Sequence, residues 1–302
     1  RHFADLASYL KSGDVLVLNN TRVLPARLRG RKESGGKAEV LLLKRLSART
    51  WEVVVGGSGM KVGAHVVIAG GKLVATVLGK IGGQRRVVRF SRAITPLLNV
   101  IGEMPLPPYI RTKLSDEERY QTVYAAVMGS AASPTAGLHF TPALLAAIRE
   151  LGISVASITL HVGLHTFAPV RAEMIDDHPI HNEWYCLDEA TAEVINRAHR
   201  GGGRIVAVGT TTARVLETAA RAASGNRVAP VCGETDLYII PGHRFRVVDA
   251  LLTNFHLPRT TLLMMVAAFI GASGRSEILA AYQSAMQAGY RFYSFGDAML
   301  IL

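Results

Sequence analysis

Residues 129–145, GSAASPTAGLHFTPALL, bring together a titratable side chain and backbone donors. Pro134 and Gly137 break regular structure, which predicts a loop over 133–140. Thr141 and Pro142 then open a helix, threonine as N-cap and proline at the first helical position. A loop that ends on a helix N-terminus presents N–H groups and the positive end of a dipole, which suits an anionic or polar ligand. His139 stands beside it as a group able to move a proton near neutral pH. Taken alone, the stretch reads equally as a surface turn with an incidental histidine.

Three more polar groups follow apolar strands. Strand 155–160 runs into His161-Val162-Gly163, and strand 204–208 into Gly209-Thr210-Thr211-Thr212, with Arg214 on the next helical turn. Strand 247–252 runs into Thr253-Asn254-Phe255-His256. Open α/β sheets bind ligands outside the carboxyl ends of their strands, so these three ends point to one crevice. Singly, each threonine-rich turn is as well explained as a helix cap. A metal is not expected. His161 and His165 flank Gly163 at a strand end, His178 and His181 are interrupted by Pro179, and neither H-E-x-x-H nor paired C-x-x-C occurs. A P-loop, a strand-linked G-x-G-x-x-G and a G-x-S-x-G elbow are also missing, which disfavours NTP hydrolysis, Rossmann dinucleotide chemistry and serine hydrolysis.

The elements that must position these groups fall into two kinds. Residues 22–111 hold 17 Lys and Arg against 4 Asp and Glu, whereas the rest of the 302-residue chain holds 17 against 19. The net charge of +11 is therefore segregated, and a segregated basic module implies a polyanionic partner, nucleic acid first. A solvated basic face is the plainer alternative. Inside the block, short β-rich runs at 39–43, 51–55, 65–68, 73–77 and 86–90 are separated by Gly-Gly turns, which predicts a small all-β barrel or sandwich. Residues 104–109, MPLPPY, form a stiff connector.

Outside the block, helix and strand alternate, which predicts a three-layer α/β domain on a mixed sheet. Strand 14–18 belongs with its apolar strands, so the basic module reads as an insertion: 1–21 plus 109–302 α/β, 22–108 all-β. Hydrophobic residues make up 49% and mean hydropathy is +0.23, which excludes disorder. No apolar run reaches membrane-spanning length, and Arg1-His2-Phe3 does not open a signal peptide. Cys186 and Cys232 lie far apart without motif spacing, which points to a reducing cytoplasm and no disulfide.

Several segments in order carry a resemblance. They are Leu16-Val-Leu-Asn-Asn-Thr-Arg22, Met104-Pro-Leu-Pro-Pro-Tyr109, Glu118-Arg-Tyr-Gln-Thr-Val-Tyr124, Pro134-Thr-Ala-Gly-Leu-His-Phe140 and Thr159-Leu-His-Val-Gly163. Val208-Gly-Thr-Thr211, Leu251-Leu-Thr-Asn-Phe-His-Leu-Pro258 and Phe295-Gly-Asp-Ala-Met-Leu-Ile301 complete the set. Across essentially its whole length the chain resembles the S-adenosylmethionine:tRNA ribosyltransferase-isomerases of queuosine biosynthesis. The resemblance implies an α/β domain with an inserted β domain. It also implies a reaction in which the ribosyl unit of S-adenosylmethionine moves to 7-aminomethyl-7-deazaguanine at the tRNA wobble position. Epoxyqueuosine forms, and adenine and methionine leave. The expected partners are tRNAs with G-U-N anticodons, the expected co-substrate is S-adenosylmethionine without metal, and the expected state is a cytoplasmic monomer.

That chemistry assigns candidate roles. The sulfonium acidifies the ribose C5′ hydrogens, so a base must remove one, and adenine leaves more readily when protonated. His139, His161 and His256 are the candidates, with Glu183 and Asp297 as carboxylate partners. Thr135, Gly137, Thr210, Thr211, Thr212, Arg214, Thr253 and Asn254 would hold S-adenosylmethionine, its carboxylate on Arg214 and the threonine-rich helix start. Asn20, Arg22, Arg27, Arg29 and Arg111 would hold tRNA. Tyr109 and Trp184 are candidates to stack on a base, and a core role suits either as well. Structural hydrogen bonding is as good a reading of His181, Asn254 and Asn20 as substrate contact.

The chain departs from the family pattern at Ala131, Ser133, His165 and Ala168, where Val, Ala, Gly and Arg are usual. Loss of that arginine puts one anion contact in doubt, and His165 stands close to His161. The segment 110–118 is shorter than usual, and the pattern includes a basic segment ahead of Arg1. Two other classes compete: a non-catalytic RNA-binding protein on the same fold, and a metal-dependent hydrolase using the histidines.

Overall fold

Strand β1 (Val15–Asn19) follows a 3-10 helix (Phe3–Tyr9) and leads into β2 (Thr21–Val23). Seven strands come next: β3 (Arg27–Lys32), β4 (Lys37–Arg45), β5 (Thr50–Gly56), β6 (His65–Ile68), β7 (Leu73–Gly82), β8 (Arg85–Phe90) and β9 (Gly102–Glu103). A one-turn helix, α1 (Leu98–Ile101), precedes β9. After β10 (Val127–Ser130) come α2 (Pro142–Glu150), β11 (Ser154–Leu160), β12 (Glu183–Leu187), α3 (Glu189–Arg200), β13 (Ile205–Val208) and α4 (Thr210–Arg221). The chain ends with β14 (Val231–Thr235), β15 (Ala250–Asn254), α5 (Thr261–Ile270), α6 (Gly274–Gln287) and β16 (Ala298–Ile301). This computed structural model describes all residues except 108, 111, 113, 164–169, 171–173, 176, 177, 179 and 181. Arg111, His165, Ala168 and His181, all singled out above, lie outside the described residues.

The chain divides into two compact units, one of Arg1–Arg22, Glu118–Val127 and Ser133–Leu302, the other of Val23–Glu117 and Met128–Ala132. The first is built on a mixed seven-stranded sheet ordered β14-β12-β11-β1-β13-β15-β16. Its centre is parallel: β1 pairs with β11 and with β13, and β13 with β15. Strands β1, β13 and β15 are buried along their whole length. That is why they read as unbroken apolar runs, since a parallel strand is covered on both faces. Leu16, Leu18, Val206, Val208 and Leu252 share one cluster with Phe140, Leu145 and Ile148. Helix α4 lies against β13, β11 and β1. The start of α2 is as expected: the Thr141 hydroxyl accepts from the Leu144 N–H at 3.1 Å, and Pro142 is the first helical residue. A 3-10 helix, Thr135–His139, forms inside the predicted loop.

The outer strands differ from the sequence reading. Strands expected at 236–240 and 291–294 are absent, while β12, β14 and β16 form and pair antiparallel with β11, β12 and β15. These strands are short and half-exposed, and β12 and β14 lack the apolar run that marks the central ones. Their register overturns a second expectation. Cys186 and Cys232 stand directly opposite each other, with Cα atoms 4.0 Å apart, and are disulfide-bonded. Their separation of 46 residues carried no hint of this, because cross-strand register is not a sequence property.

The second unit is a closed antiparallel barrel. Its order is β4-β5-β8-β7-β6-β3, and β3 returns to pair with β4, with β9 added along β3. Within the barrel β3 pairs with β4 through residues 27–31 and with β6 through 30–32, and the overlap falls on Gly30 and Arg31. A Cβ at Gly30 would lie 2.6 Å from the Val67 carbonyl, so the residue must be glycine for the barrel to close. Alternate residues, among them Leu28, Val40, Trp51, Val53, Val66, Ala75, Val88 and Phe90, fill the interior. No single helix among the described residues is long and apolar enough to cross a membrane.

Candidate active site

The four parallel strands of the main sheet end at Leu160, Asn19, Val208 and Asn254, so the segments that follow them open on one edge. Antiparallel neighbours bring two more groups there. Glu183 opens β12 beside the end of β11, and Asp297 immediately precedes Ala298, the register partner of Asn254. The carboxyl edge therefore collects His139, His161, His256, Glu183, Asp297, Thr210, Thr253 and Asn254.

His139 is held on several sides. Phe3 stacks on it with ring centroids 4.9 Å apart. Asn254 Nδ2 lies 3.4 Å from its Nε2, and the Thr135 hydroxyl donates to Asn254 Oδ1 at 2.8 Å. Burial pushes the imidazole below its ordinary pKa; the Asp297 charge opposes this and Arg291 adds to it. Burial would raise the Asp297 carboxyl, but the Arg291 backbone N–H at 2.7 Å and guanidinium at 3.1 Å outweigh it and hold the group below the usual range.

The other two histidines are each paired with a threonine. His161 Nδ1 lies 2.8 Å from the Thr21 hydroxyl, and its ring stacks on Trp184 at 4.9 Å. His256 Nε2 lies 2.8 Å from the Thr253 hydroxyl, while its backbone N–H donates to the Tyr282 phenol at 2.7 Å. Burial pushes both imidazoles down to about 4. It also pushes the Tyr282 phenol up to about 12, so that group stays a neutral partner.

Glu183 and Arg214 form a pair of a different kind. Arg214 Nη1 donates to Glu183 Oε2 at 2.5 Å, and both side chains are almost wholly buried. Arg214 Nε and Nη2 donate to the Leu237 and Thr235 carbonyls, each at 2.9 Å. Glu183 Oε1 accepts from the Gly163 N–H at 2.7 Å. Arg214, expected to face a ligand carboxylate, makes these three bonds within the protein, and Glu183 anchors the turn after His161. Breaking such a pair from one side costs about 3–5 kcal/mol.

The first turn of α4 is buried at Thr210, Thr211 and Thr212. No side chain caps it, because its N-cap is Gly209, which adopts φ +87° as the strand turns into the helix. The Thr212 hydroxyl donates to the Val208 carbonyl at 2.7 Å, and Thr211 accepts weakly from Asn19 at 3.4 Å. Gly137 is needed by packing: a Cβ there would lie 1.9 Å from the Tyr124 hydroxyl. Among the described residues no group of three or more His, Cys, Asp or Glu side chains could hold a metal ion.

The family model described as queuosine biosynthesis protein matches residues 1–301. The S-adenosylmethionine:tRNA ribosyltransferase-isomerase of Moorella thermoacetica is 54% identical over 307 residues, covering 100% of this chain and 88% of that one. The protein of the same name from Caldanaerobacter subterraneus is 51% identical over 304 residues, covering 99% and 88%. The chain belongs to this family. A crystal structure of S-adenosylmethionine tRNA ribosyltransferase from Thermotoga maritima is 36% identical, with a TM-score of 0.50 over 99% of this chain and 86% of that one.

Against the family motifs, the sequence reading missed three residues at this edge. Asn19 is buried and ties strand ends together: its Nδ2 donates to the Leu160 carbonyl, and its Oδ1 accepts from the Leu160 and Thr21 N–H groups, all at 3.1 Å. Asn20, the residue expected to touch tRNA, accepts from the Thr159 hydroxyl at 2.7 Å. Thr21, within the same motif, holds His161. Tyr124 is the third, a phenol whose buried oxygen has no hydrogen-bond partner among the described residues. An asparagine pair after an apolar strand was the available signal for the first two.

Three of the expected tRNA-binding arginines are ion-paired. Arg22 pairs with Glu118, Arg27 lies 3.6 Å from Glu39, and Arg29 bonds Glu103 at 2.8 Å with its side chain 68% exposed. In the barrel unit, Arg29 also lines an open groove of about 390 Å³ with Arg31 and Lys37, two cations outside the expected set.

Proposed function

We propose that this chain carries out the reaction its relatives are named for. The ribosyl unit of S-adenosylmethionine is transferred to 7-aminomethyl-7-deazaguanine at the wobble position of G-U-N tRNAs, with isomerisation to epoxyqueuosine and loss of adenine and methionine. Family membership over residues 1–301 and identities above 50% support the activity. The observation that carries the catalytic part is the concentration of three partly or fully desolvated imidazoles at one sheet edge. All three are neutral at pH 7, so each starts the cycle as a proton acceptor.

His139 is the base we assign to the C5′ proton, because ionised Asp297 stands close enough to favour the imidazolium that forms. That imidazolium is then the acid available to the departing adenine. His161 and His256 remain to take the proton lost when the substrate amine attacks. The methionine carboxylate falls to the N–H groups of Thr210, Thr211 and Thr212 at the start of α4, which no side chain caps, and to Arg214, which also holds Glu183. Gly137 and the backbone of Thr135 form the wall opposite. No step uses a metal.

The tRNA backbone falls to Arg22, Arg27 and Arg29, with Arg111 and Asn20 as further contacts. An exposed ion pair contributes at most about 1 kcal/mol, so a phosphate can take the place of Glu103 or Glu39. The architecture we read as three layers, with residues 22–108 inserted between 1–21 and 109–302, and the protein as a cytoplasmic monomer. Burial on both faces of β1, β13 and β15 supports the layers.

Release of adenine from S-adenosylmethionine in the presence of precursor-bearing tRNA tests the activity. Stoichiometric adenine and epoxyqueuosine are expected, and no adenine above a protein-free control would refute it. For the barrel, tRNA affinity should fall steeply with salt, and Arg29→Ala should reduce the slope of log K against log salt by about 1. A flat salt response would remove the basic unit from the interface.

A further inference from the structure

Thr135 and Asn254 were expected to hold the co-substrate, yet both are committed within the protein to each other and to His139. The Thr135 hydroxyl, in the 3-10 helix Thr135–His139, donates to Asn254 Oδ1 at 2.8 Å. With Oδ1 occupied, the end of the amide nearest His139 is Nδ2, 3.4 Å from the imidazole Nε2. An amide nitrogen only donates, so the Nε2 it faces must carry the lone pair. In a neutral imidazole the proton is then on Nδ1. Phe3 stacks on the ring at an interplanar angle of 23° and covers one of its faces. Asn254 is itself fixed: it is 3% exposed at the end of β15, in register with Ala298. The charged groups that act on the ring are Asp297 and Arg291, both from the segment ahead of β16.

We infer that Asn254 is a positioning residue that holds neutral His139 as its Nδ1–H tautomer, and that Thr135 sets the orientation of the Asn254 amide. The inference rests on the reading of His139 as the proton-transfer group, and it adds which nitrogen is free to serve. Nε2 is the basic atom, and the long contact from Asn254 is the bond that must yield when it accepts a proton. An apo hydrogen bond of this length is in keeping with a catalytic group that tightens only with substrate bound.

Long-range ¹H–¹⁵N correlation spectra of the intact protein labelled with ¹⁵N-histidine report the tautomer directly, with His139→Gln identifying the signals. The expected spectrum is a single Nδ1–H form. An Nε2–H form in the unaltered protein would overturn the inference. Asn254→Asp replaces the donor by an acceptor of the same shape, so the spectrum should switch to Nε2–H, with kcat down on the order of 10²-fold and the pH profile moved to higher pH. An unchanged tautomer in that variant would also overturn it. Thr135→Val should produce a mixture of tautomers, and Thr135→Ser should restore the single form. If instead Thr135→Val raises only the KM for S-adenosylmethionine and leaves the spectrum alone, the residue binds co-substrate and the inference fails. A tautomer that behaves as expected while Asn254→Asp keeps full activity leaves the positioning role standing and removes His139 from the chemistry, so the two failures are distinguishable.

Discussion

At the amino edge of the main sheet, Asp14 accepts from the Lys11 and Arg204 N–H groups and from the Arg204 guanidinium, at 2.7–3.3 Å. Asp249 accepts from the Ile205 N–H at 2.8 Å beside it. At the carboxyl edge of the same sheet stand three imidazoles, each with one threonine or asparagine on one ring nitrogen. Both edges bury polar groups, but the amino edge saturates Asp14 with several bonds while the carboxyl edge leaves ring nitrogens in reserve. A saturated carboxylate locks the strand starts. A neutral imidazole with capacity in reserve can still exchange a proton. The placement agrees with the strand direction, because only at the carboxyl ends do helix N-termini such as that of α4 also point outward.

Exchanging the two edges by mutation gives the largest effect. His139→Ala should lower adenine release by 10²–10⁴-fold while the melting temperature stays near that of the parent. Asp14→Asn should do the reverse, costing about 3–5 kcal/mol in denaturant unfolding, with kcat per folded molecule unchanged. A loss of kcat in the second variant, or of stability alone in the first, would break the contrast between the edges.

Acid titration of stability separates them more finely. His161 and His256, with folded pKa values of about 4, bind fewer protons folded than unfolded between pH 4 and about 6.5. Stability should therefore fall as pH drops through that window and be insensitive to these rings above it. Asp14 is held below its ordinary range, so its contribution persists until the pH falls through about 4 and is lost below. Urea midpoints from pH 7.5 to 3.5 should fall in two stages, and the upper one should weaken in His256→Gln. A single stage below pH 4 would mean that the imidazoles are not desolvated.

The smallest effect concerns Tyr124. Its unpartnered buried phenol contributes no hydrogen bond to folding, so Tyr124→Phe should leave stability unchanged or raise it by up to about 1 kcal/mol. Calorimetry showing a clear loss would mean that the hydroxyl is bonded in solution, through water.

Much of this contrast was legible along the chain. Thr141-Pro142 announced the start of α2, and short β-rich runs at 39–43, 51–55 and 73–77 between Gly-Gly turns announced barrel strands. The polar strand ends at His161, Thr210 and Thr253 announced the carboxyl edge. What escaped was pairing. Arg214 read as a ligand-facing cation because its partner Glu183 lies 31 residues away on a strand, β12, too half-exposed to recognise. Asn20 drew attention as a contact residue although Asn19 makes more of the buried bonds. Cys186 and Cys232 read as separate thiols.

The sequence by itself determined the kind of each central element, the segregation of positive charge into the barrel, and the family. These follow from near-neighbour periodicity, composition and ordered motifs, all present in a linear string. The tertiary structure alone decided which polar groups meet: His139 with Asn254 across 115 residues, His161 with Thr21 across 140, and Arg204 with Asp14 across 190. Hydrogen bonding and desolvation depend on distance and burial in space, so which histidine is neutral, and which of its nitrogens is free, exists only once the strands have found their order.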